Sequence, residues 1–375
     1  MEWMKGAKAQ KGLMVRCLRI ITLLAGVVGF VAPGFAQAKE VTGLRFEHED
    51  WMLVCDNTRI CRAVGYQRLF EDSESVAVLL TRKAGPDQPI IGEVKIGELD
   101  LDEEAYVALT SDADLSLVID GKAVGKVKVD PGFLGAELPN ELLLPLLRAL
   151  RRDSVIEWVH EQYRWRLSDL GASAVFLKMD DVQGRIGTPG ALVRKGNRPE
   201  AEVLPALAPP LVIAAPVDAA PVTLPAEDEP ALRAALRTLV DEETECSGLA
   251  MPEEGGEALD VVRLSDTRLM VAVSCWMAAY NGGAGIWVIN DSKPYQPVLV
   301  TGSATEFDGA TVSAMHKGRG IGDCYSREEW TWDGEQFVHT LSSSTGQCRG
   351  LAAGGVWDLP ERVTEVRQAE GASSP

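Results

Sequence analysis

The segment Lys317-Gly-Arg-Gly-Ile-Gly-Asp-Cys324 carries the densest chemistry in the chain. Gly318, Gly320 and Gly322 let the backbone take left-handed turns and approach a partner closely. Lys317 and Arg319 set two cations beside one acid, Asp323. Such a set suits a small anion- or carboxylate-binding loop, because ammonium and guanidinium groups make strong charge-assisted hydrogen bonds. The same residues equally fit a glycine-rich bulged connection between strands, with Arg and Asp paired internally. A dinucleotide-binding turn is excluded. G-x-G-x-x-G would need Gly at 323, where Asp stands, and no helix pattern follows.

A second group is Trp276, Tyr280, Asn281, Gly282 and Gly283. Aromatic rings beside a flexible amide-bearing loop suit stacking on sugars or peptides. Core packing of the tryptophan on a disulfide explains the same residues without a ligand. The candidate binding residues are therefore Lys317, Arg319, Asp323, Trp276, Tyr280 and Asn281.

Nothing else reaches a complete catalytic set. Asp180 and Asp181 are adjacent on a helix and do not face each other, which makes them a poor acid/base pair. With Arg185 near, a helix-end cap or an Arg pair explains them. His48, Glu49 and Asp50 alternate faces on a strand. His160, His316 and His339 lack ligand-like spacing, and neither H-E-x-x-H nor G-x-S-x-G occurs. No C-x-x-C pair is present, so no metal site and no cofactor are expected.

The elements that must position these residues fall into an α+β pattern of two domains. Each is a mainly antiparallel β-sheet or sandwich with one or two packed helices, and a Pro/Ala-rich linker joins them. Residues 39–197 read as a β-rich domain with two helices. Strands are predicted at 51–55, 60–66, 75–81, 90–96, 115–119, 122–129, 155–159 and 163–167. Asp120-Gly121 is a strong two-residue hairpin turn. Helices are predicted over 138–150, capped by Asn140 and with Pro145 forcing a kink or a later start, and over 171–183. Prolines crowd 198–229 and favour extended chain, an interdomain linker or a proline-rich ligand. Residues 230–367 open with a helix over 230–242, whose stripe is Leu232, Leu236, Leu239 and Val240. Seven short strands follow at 259–264, 268–275, 285–289, 297–301, 311–315, 326–332 and 336–341. Residues 368–375 form a flexible tail.

Export is written into the start of the chain. Lys5 to Arg19 is basic, an apolar run covers 20–32, Pro33-Gly34 breaks it, and Ala36-Gln37-Ala38 fits a cleavage site. Residues 1–38 thus read as a cleavable Sec-type signal peptide, and the mature chain begins near Lys39. An uncleaved anchor is the alternative, but the run is short for a span. No transmembrane segment is expected after cleavage. Cys17 leaves with the signal, and six cysteines remain: Cys55, Cys61, Cys246, Cys275, Cys324 and Cys348. An even number in an exported chain suggests three disulfides. Cys55–Cys61 is set by isolation of that pair in the first half, and Cys246–Cys275 with Cys324–Cys348 is the pairing expected in the second. Loop closure assigns about 2.4 kcal/mol to the short loop and about 3.5 to each long one.

Formal net charge is −18 over 375 residues. Losing five basic groups and one acid with residues 1–38 leaves 32 basic against 54 acidic groups, or −22. Such a surface repels phosphate backbones, so no nucleic-acid partner is expected.

Several ordered strings carry a family resemblance. They are Trp51-Met-Leu-Val-Cys55 with Cys61-Arg-Ala-Val-Gly-Tyr66, the run from Gly171 to Arg185, and Cys275-Trp-Met-Ala-Ala-Tyr-Asn281. Lys317 to Cys324, Trp330-Thr-Trp-Asp-Gly334 and Cys348-Arg-Gly350 complete them. Together they resemble the exported bacterial family named domain of unknown function 1176. The resemblance implies a periplasmic address and transfers no catalytic residue. The N-terminal half is also similar to the invasion-associated locus B family, with a tryptophan-led strand entering a cysteine and a late helix behind a sheet.

Together these readings point to a periplasmic envelope protein that is a non-enzymatic binding module for a protein or cell-wall component. The alternative is a periplasmic hydrolase acting on wall or carbohydrate through carboxylates that converge only in the fold.

Overall fold

Apolar residues make up most of 51–55, 61–66, 76–82 and 90–96, with β-branched and aromatic side chains that favour a pleated, buried surface. In the computed structural model, which describes residues 42–69, 74–240 and 246–369, these runs build a six-stranded sheet. Its order is Leu44–His48, Trp51–Cys55, Cys61–Tyr66, Val76–Arg82, Ile90–Ile96 and Gly135–Leu138. All pairs are antiparallel. A second sheet of four strands runs Tyr163–Leu167, Ile156–His160, Asp114–Ile119 and Lys122–Lys128. The signal-peptide reading of 1–38 lies outside the described residues, as does the tail beyond 369.

The first sheet is covered on both faces, because successive side chains of one strand point opposite ways. Trp51 and Leu53 enter the main core with the second sheet and the helices Asn140–Ala149 and Ala172–Val182. Met52 and Val54 point the other way, onto Leu351, Trp357 and Leu359 from the far end of the chain. The two halves therefore share a packed cluster.

The second half holds a four-stranded sheet, Asp260–Arg263, Arg268–Met277, Gly282–Asn290 and Val298–Ala304. A five-stranded sheet follows, Glu306–Phe307, Thr311–Lys317, Tyr325–Trp332, Phe337–Ser344 and Leu359–Arg362. Every pairing in both sheets is antiparallel. Met270, Ile286, Val288, Val312 and Trp332 pack the two against each other. The fold class is α+β, β-rich with few helices.

The structure corrects several boundaries. Asn140 is the first residue of its helix, not its cap; Pro139 takes the cap position and offers no side chain to it. Pro145 lies within that helix. Its missing N–H would have bonded the carbonyl four residues back, on Glu141, which is exposed and can be met by water. A third helix in the first half, Glu103–Thr110, has Asp102 as its cap, accepting from the Ala105 N–H at 2.7 Å. The helix expected over 230–242 is Glu229–Arg237, and only Leu232 and Leu236 of its stripe are fully buried.

The Pro/Ala-rich stretch is extended, as proline density requires, but it is fastened along its length. Leu207 donates to the Thr58 carbonyl, and Ala215 to that of Trp332. Leu211–Ala214 pairs in parallel with Glu365–Gln368. The described residues group as one compact unit.

Candidate functional site

Strands Arg268–Met277 and Gly282–Asn290 meet in a tip closed by the Ala278 N–H on the Asn281 carbonyl, 2.7 Å. From this tip Asn281 reaches across to the other sheet. Its amide nitrogen donates to the Lys317 carbonyl and its oxygen accepts from the Lys317 N–H, both at 3.0 Å. Trp276 lies stacked on His316 with ring centroids 5.4 Å apart, and its Nε1 donates to the Gly302 carbonyl at 3.1 Å. A Cβ at Gly283 would come within 2.5 Å of that indole, so the stack requires glycine there. Tyr280 borders Gly320. The fold thus gathers Trp276, Tyr280, Asn281, Lys317, Arg319 and Asp323, which are up to 47 residues apart, at one place.

Their roles differ. Arg319 donates to both oxygens of Asp323, at 2.7 and 2.5 Å, and the Gly350 N–H donates to the same carboxylate at 2.7 Å. Burial would raise the Asp323 pKa, but the bonds from Arg319 and Gly350 outweigh it and hold the carboxyl below its ordinary range. Arg319 is raised in turn by its bond to Asp323. The internal Arg–Asp pair is therefore present, and Asp323 is committed to holding the loop. The Lys317 ammonium is left without an ion pair among the described residues.

Covalent and steric constraints hold the rest. Cys324 is bonded to Cys348, and Gly318 sits so close that a Cβ would lie 2.6 and 2.8 Å from the two sulfurs. Gly322 has φ +71°, a conformation glycine adopts without strain. Asp323, Cys324 and Cys348 bring potential ligand atoms within 4.8 Å. The sulfurs are bonded to each other and the carboxylate is paired, so these atoms are already engaged. The other disulfides are Cys55–Cys61 and Cys246–Cys275. Cys275 shares its buried cluster with Trp287, and Cys246 and Trp276 pack against the same cluster. Three disulfides indicate an oxidising environment, extracellular or periplasmic.

Apolar side chains stand open on and beside this braced loop. Met277 is 86% exposed, Ile321 61% and Tyr280 46%. Trp276 is partly covered by its stack, which leaves Tyr280 as the open ring.

Behind the loop sits Arg349, almost fully buried. It donates to Asp50 at 3.2 Å, to the Gln67 carbonyl at 3.1 Å and to Gln347 at 3.0 Å, and it stacks on Tyr66, 5.4 Å from the ring centre. Its own carbonyl accepts from Gln67 and Ser75 at 3.0 and 2.8 Å. Asp50 thus leaves His48 and Glu49 for an internal pair.

Asp180 and Asp181 separate similarly. Asp181 is exposed and meets Lys178 at 3.1 Å. Asp180 is buried, accepts from the Leu192 and Val193 N–H groups at 2.7 and 3.1 Å, and lies 3.7 Å from Arg82. Burial raises its pKa despite those bonds. The same burial, with the Arg185 charge, lowers Arg82 to about 10.

One feature escaped the sequence reading: Arg148, Arg151 and Lys195 border a single cleft. The signal was present as a basic run, Arg148-Ala-Leu-Arg-Arg152, in an acidic chain, but Lys195 joins it only in the fold.

The model of the family described as "Protein of unknown function (DUF1176)" matches residues 45–364. The chain is 25% identical over 317 residues to "Uncharacterized protein YpfG" of Escherichia coli (strain K12), covering 77% of this chain and 84% of that protein. No solved structure matches. These matches bear on the first of the two resemblances; invasion-associated locus B is not among them.

Proposed function

We propose that the chain, which belongs to the family of unknown function DUF1176, is a periplasmic envelope protein that binds another protein. The contact surface is the Met277–Asn281 tip together with the Lys317–Cys324 loop. One observation carries this reading: three large apolar side chains stand exposed, Ile321 on the braced loop and Met277 and Tyr280 at the neighbouring hairpin tip. Exposed apolar clusters rimmed by polar groups mark interaction sites. A preorganised loop loses little conformational freedom on docking, so more of the contact energy appears as affinity. Tyrosine and methionine, present here as Tyr280 and Met277, are among the residues enriched at interface centres.

A protein partner fits better than a sugar, because the stacking face of Trp276 is occupied by His316. A periplasmic address agrees with the disulfides and with the basic-apolar-small start of the chain. Lys317 supplies an unpaired cation to meet an acidic rim on the partner.

The test is a photo-crosslinking residue at Ile321 in the full-length protein expressed in its host, with captured protein identified by mass. The purified pair is then titrated with Met277→Ser, Tyr280→Ala and Ile321→Ser variants. Each variant is expected to weaken binding at least tenfold, about 1.4 kcal/mol. Undiminished affinity in all three would remove this surface from consideration.

A further inference from the structure

The helix Asn140–Ala149 and the turn after it present Arg148 and Arg151 beside Lys195, which arrives from a loop more than forty residues later. The three border a cleft of about 300 Å³ whose floor is Leu143, Leu147 and Leu192. An adjoining cleft repeats the cations, with Arg148, Arg151 and Arg152 around Val193. No carboxylate lines either cleft. Asp153 and Asp169 border a third hollow that shares only Arg151 and Arg152 with this region.

Arg151 and Lys195 are held but not neutralised. Arg151 donates to the Leu147 and Leu192 carbonyls, at 2.9 and 2.6 Å. Lys195 donates to the Pro189 carbonyl at 3.1 Å. Neither they nor Arg148 forms an ion pair among the described residues. Beneath them Arg82 lines the cleft, fixed by the Gly190 carbonyl at 2.9 Å and facing buried Asp180. Asp180 also holds the N–H groups of Leu192 and Val193, so the cleft wall is anchored from inside.

Two explanations compete. A helix C-terminus favours cations in its last turn, which accounts for Arg148 and its neighbours. It does not account for Lys195, which adds a like charge to the same rim at a repulsive cost. In a chain of net charge −18, local gathering of unpaired cations over leucines calls for an anion with an apolar part.

We infer that this cleft binds a small amphiphilic anion. A phosphate or carboxylate headgroup sits on Arg148, Arg151 and Lys195, and a single short hydrocarbon portion lies on Leu143, Leu147 and Leu192. The size is at the lower end of ligand pockets, about 300–1,000 Å³, which suits one chain and not a two-chain lipid. The site is separate from the Lys317 loop, so it stands or falls independently of the docking surface.

The experiment is calorimetric titration of the full, disulfide-bonded chain with octyl phosphate, inorganic phosphate and octyl glucoside, all below micelle formation. Octyl phosphate is expected to bind at one site, at least tenfold more tightly than inorganic phosphate, with no heat from octyl glucoside. The Arg148→Glu/Lys195→Glu variant should lose binding at least tenfold. Both residues are exposed and free of ion pairs among the described residues, so its thermal melt should fall only slightly, by the small cost of an acid in a helix's last turn, and the variant should stay folded at the titration temperature. Lys122→Glu, a charge reversal outside the cleft, should leave binding unchanged. Absence of octyl phosphate binding, or equal binding by the double variant, overturns the site. Phosphate binding as tight as octyl phosphate overturns the amphiphile and leaves a plain anion. Binding of octyl glucoside overturns the headgroup role.

Discussion

Arg349→Ala removes the charge that neutralises buried Asp50, and its cost can be worked from the contacts. The two side chains are 7% and 9% exposed and 3.2 Å apart. Breaking a buried pair by removing one partner costs about 3–5 kcal/mol, because the remaining charge stays desolvated. Loss of the donors to Gln67 and Gln347 and of the stack on Tyr66 overlaps with that figure and is not added to it. Domains are stable by about 5–15 kcal/mol, so the loss is a large share. Urea unfolding followed by tryptophan fluorescence should show it. Because Arg349 ties the Cys348–Gly350 turn to the first sheet, the variant should also show the second half melting before the first. The decisive control is Asp50→Asn with Arg349→Met. Asn still accepts from the Leu69 N–H, a bond of 3.4 Å in the native protein, and Met refills the space over Tyr66. The double variant should be more stable than Arg349→Met alone. A single-variant cost under about 1 kcal/mol, well below the range for a buried pair, or strict additivity in the cycle, would refute the buried-latch reasoning.

Three further outcomes follow from the same kind of geometry. Asp323 has a folded pKa below its unfolded value, so its stabilisation is complete above the ordinary aspartate range near 3.9 and is lost as pH falls through the lower folded value; Asp323→Asn should flatten the acid limb of a stability-versus-pH curve measured from pH 5 to 2. Gly171→Ala should destabilise by at least about 1–3 kcal/mol from its backbone alone, since φ is +93° and the new Cβ would lie 1.9 Å from the His48 carbonyl oxygen, and thermal melts would register it. Cys324→Ser/Cys348→Ser should cost about 3.5 kcal/mol by loop closure, with faster hydrogen exchange confined to residues 317–324 and 345–354.

What could be read from the sequence was local. Asp120-Gly121 closed the hairpin it announced, because its backbone preferences act over two residues. The short apolar runs between Trp51 and Tyr66 and between Val76 and Ile96, separated by polar turn residues, located four strands of the first sheet for the same reason. Glu103–Thr110 was not legible, since it buries only Ala105 and Leu109 and so lacks an apolar stripe. Leu211–Ala214 and Glu365–Gln368 pair across more than 150 residues, and neither run has an intrinsic signal strong enough to stand alone. In the candidate site the residue types were legible and their partnerships were not. Arg319 and Asp323 could equally have faced a ligand or each other. Gly350, which donates to Asp323, lies 27 residues further on, and no spacing rule connects them.

The glycine loop and the latch are mechanically one device. Cys348, Arg349 and Gly350 are consecutive: the first is bonded to Cys324, the second to Asp50, and the third to Asp323. Three residues thus transmit any displacement of the Lys317–Cys324 loop to the buried face of the first sheet. Packed interiors resist continuous deformation, so a contact made at Ile321 meets a support that reaches Tyr66 and Gln67. That support explains how the exposed Ile321 can be held on a loop with three glycines without loss of definition. It also sets the order of failure. Reduction of Cys324–Cys348 frees the loop but leaves Arg349 on Asp50, whereas loss of Arg349 unseats both the loop and the joint between the halves. A surface variant at Ile321 should therefore change binding without changing stability, and a variant at Arg349 should change both.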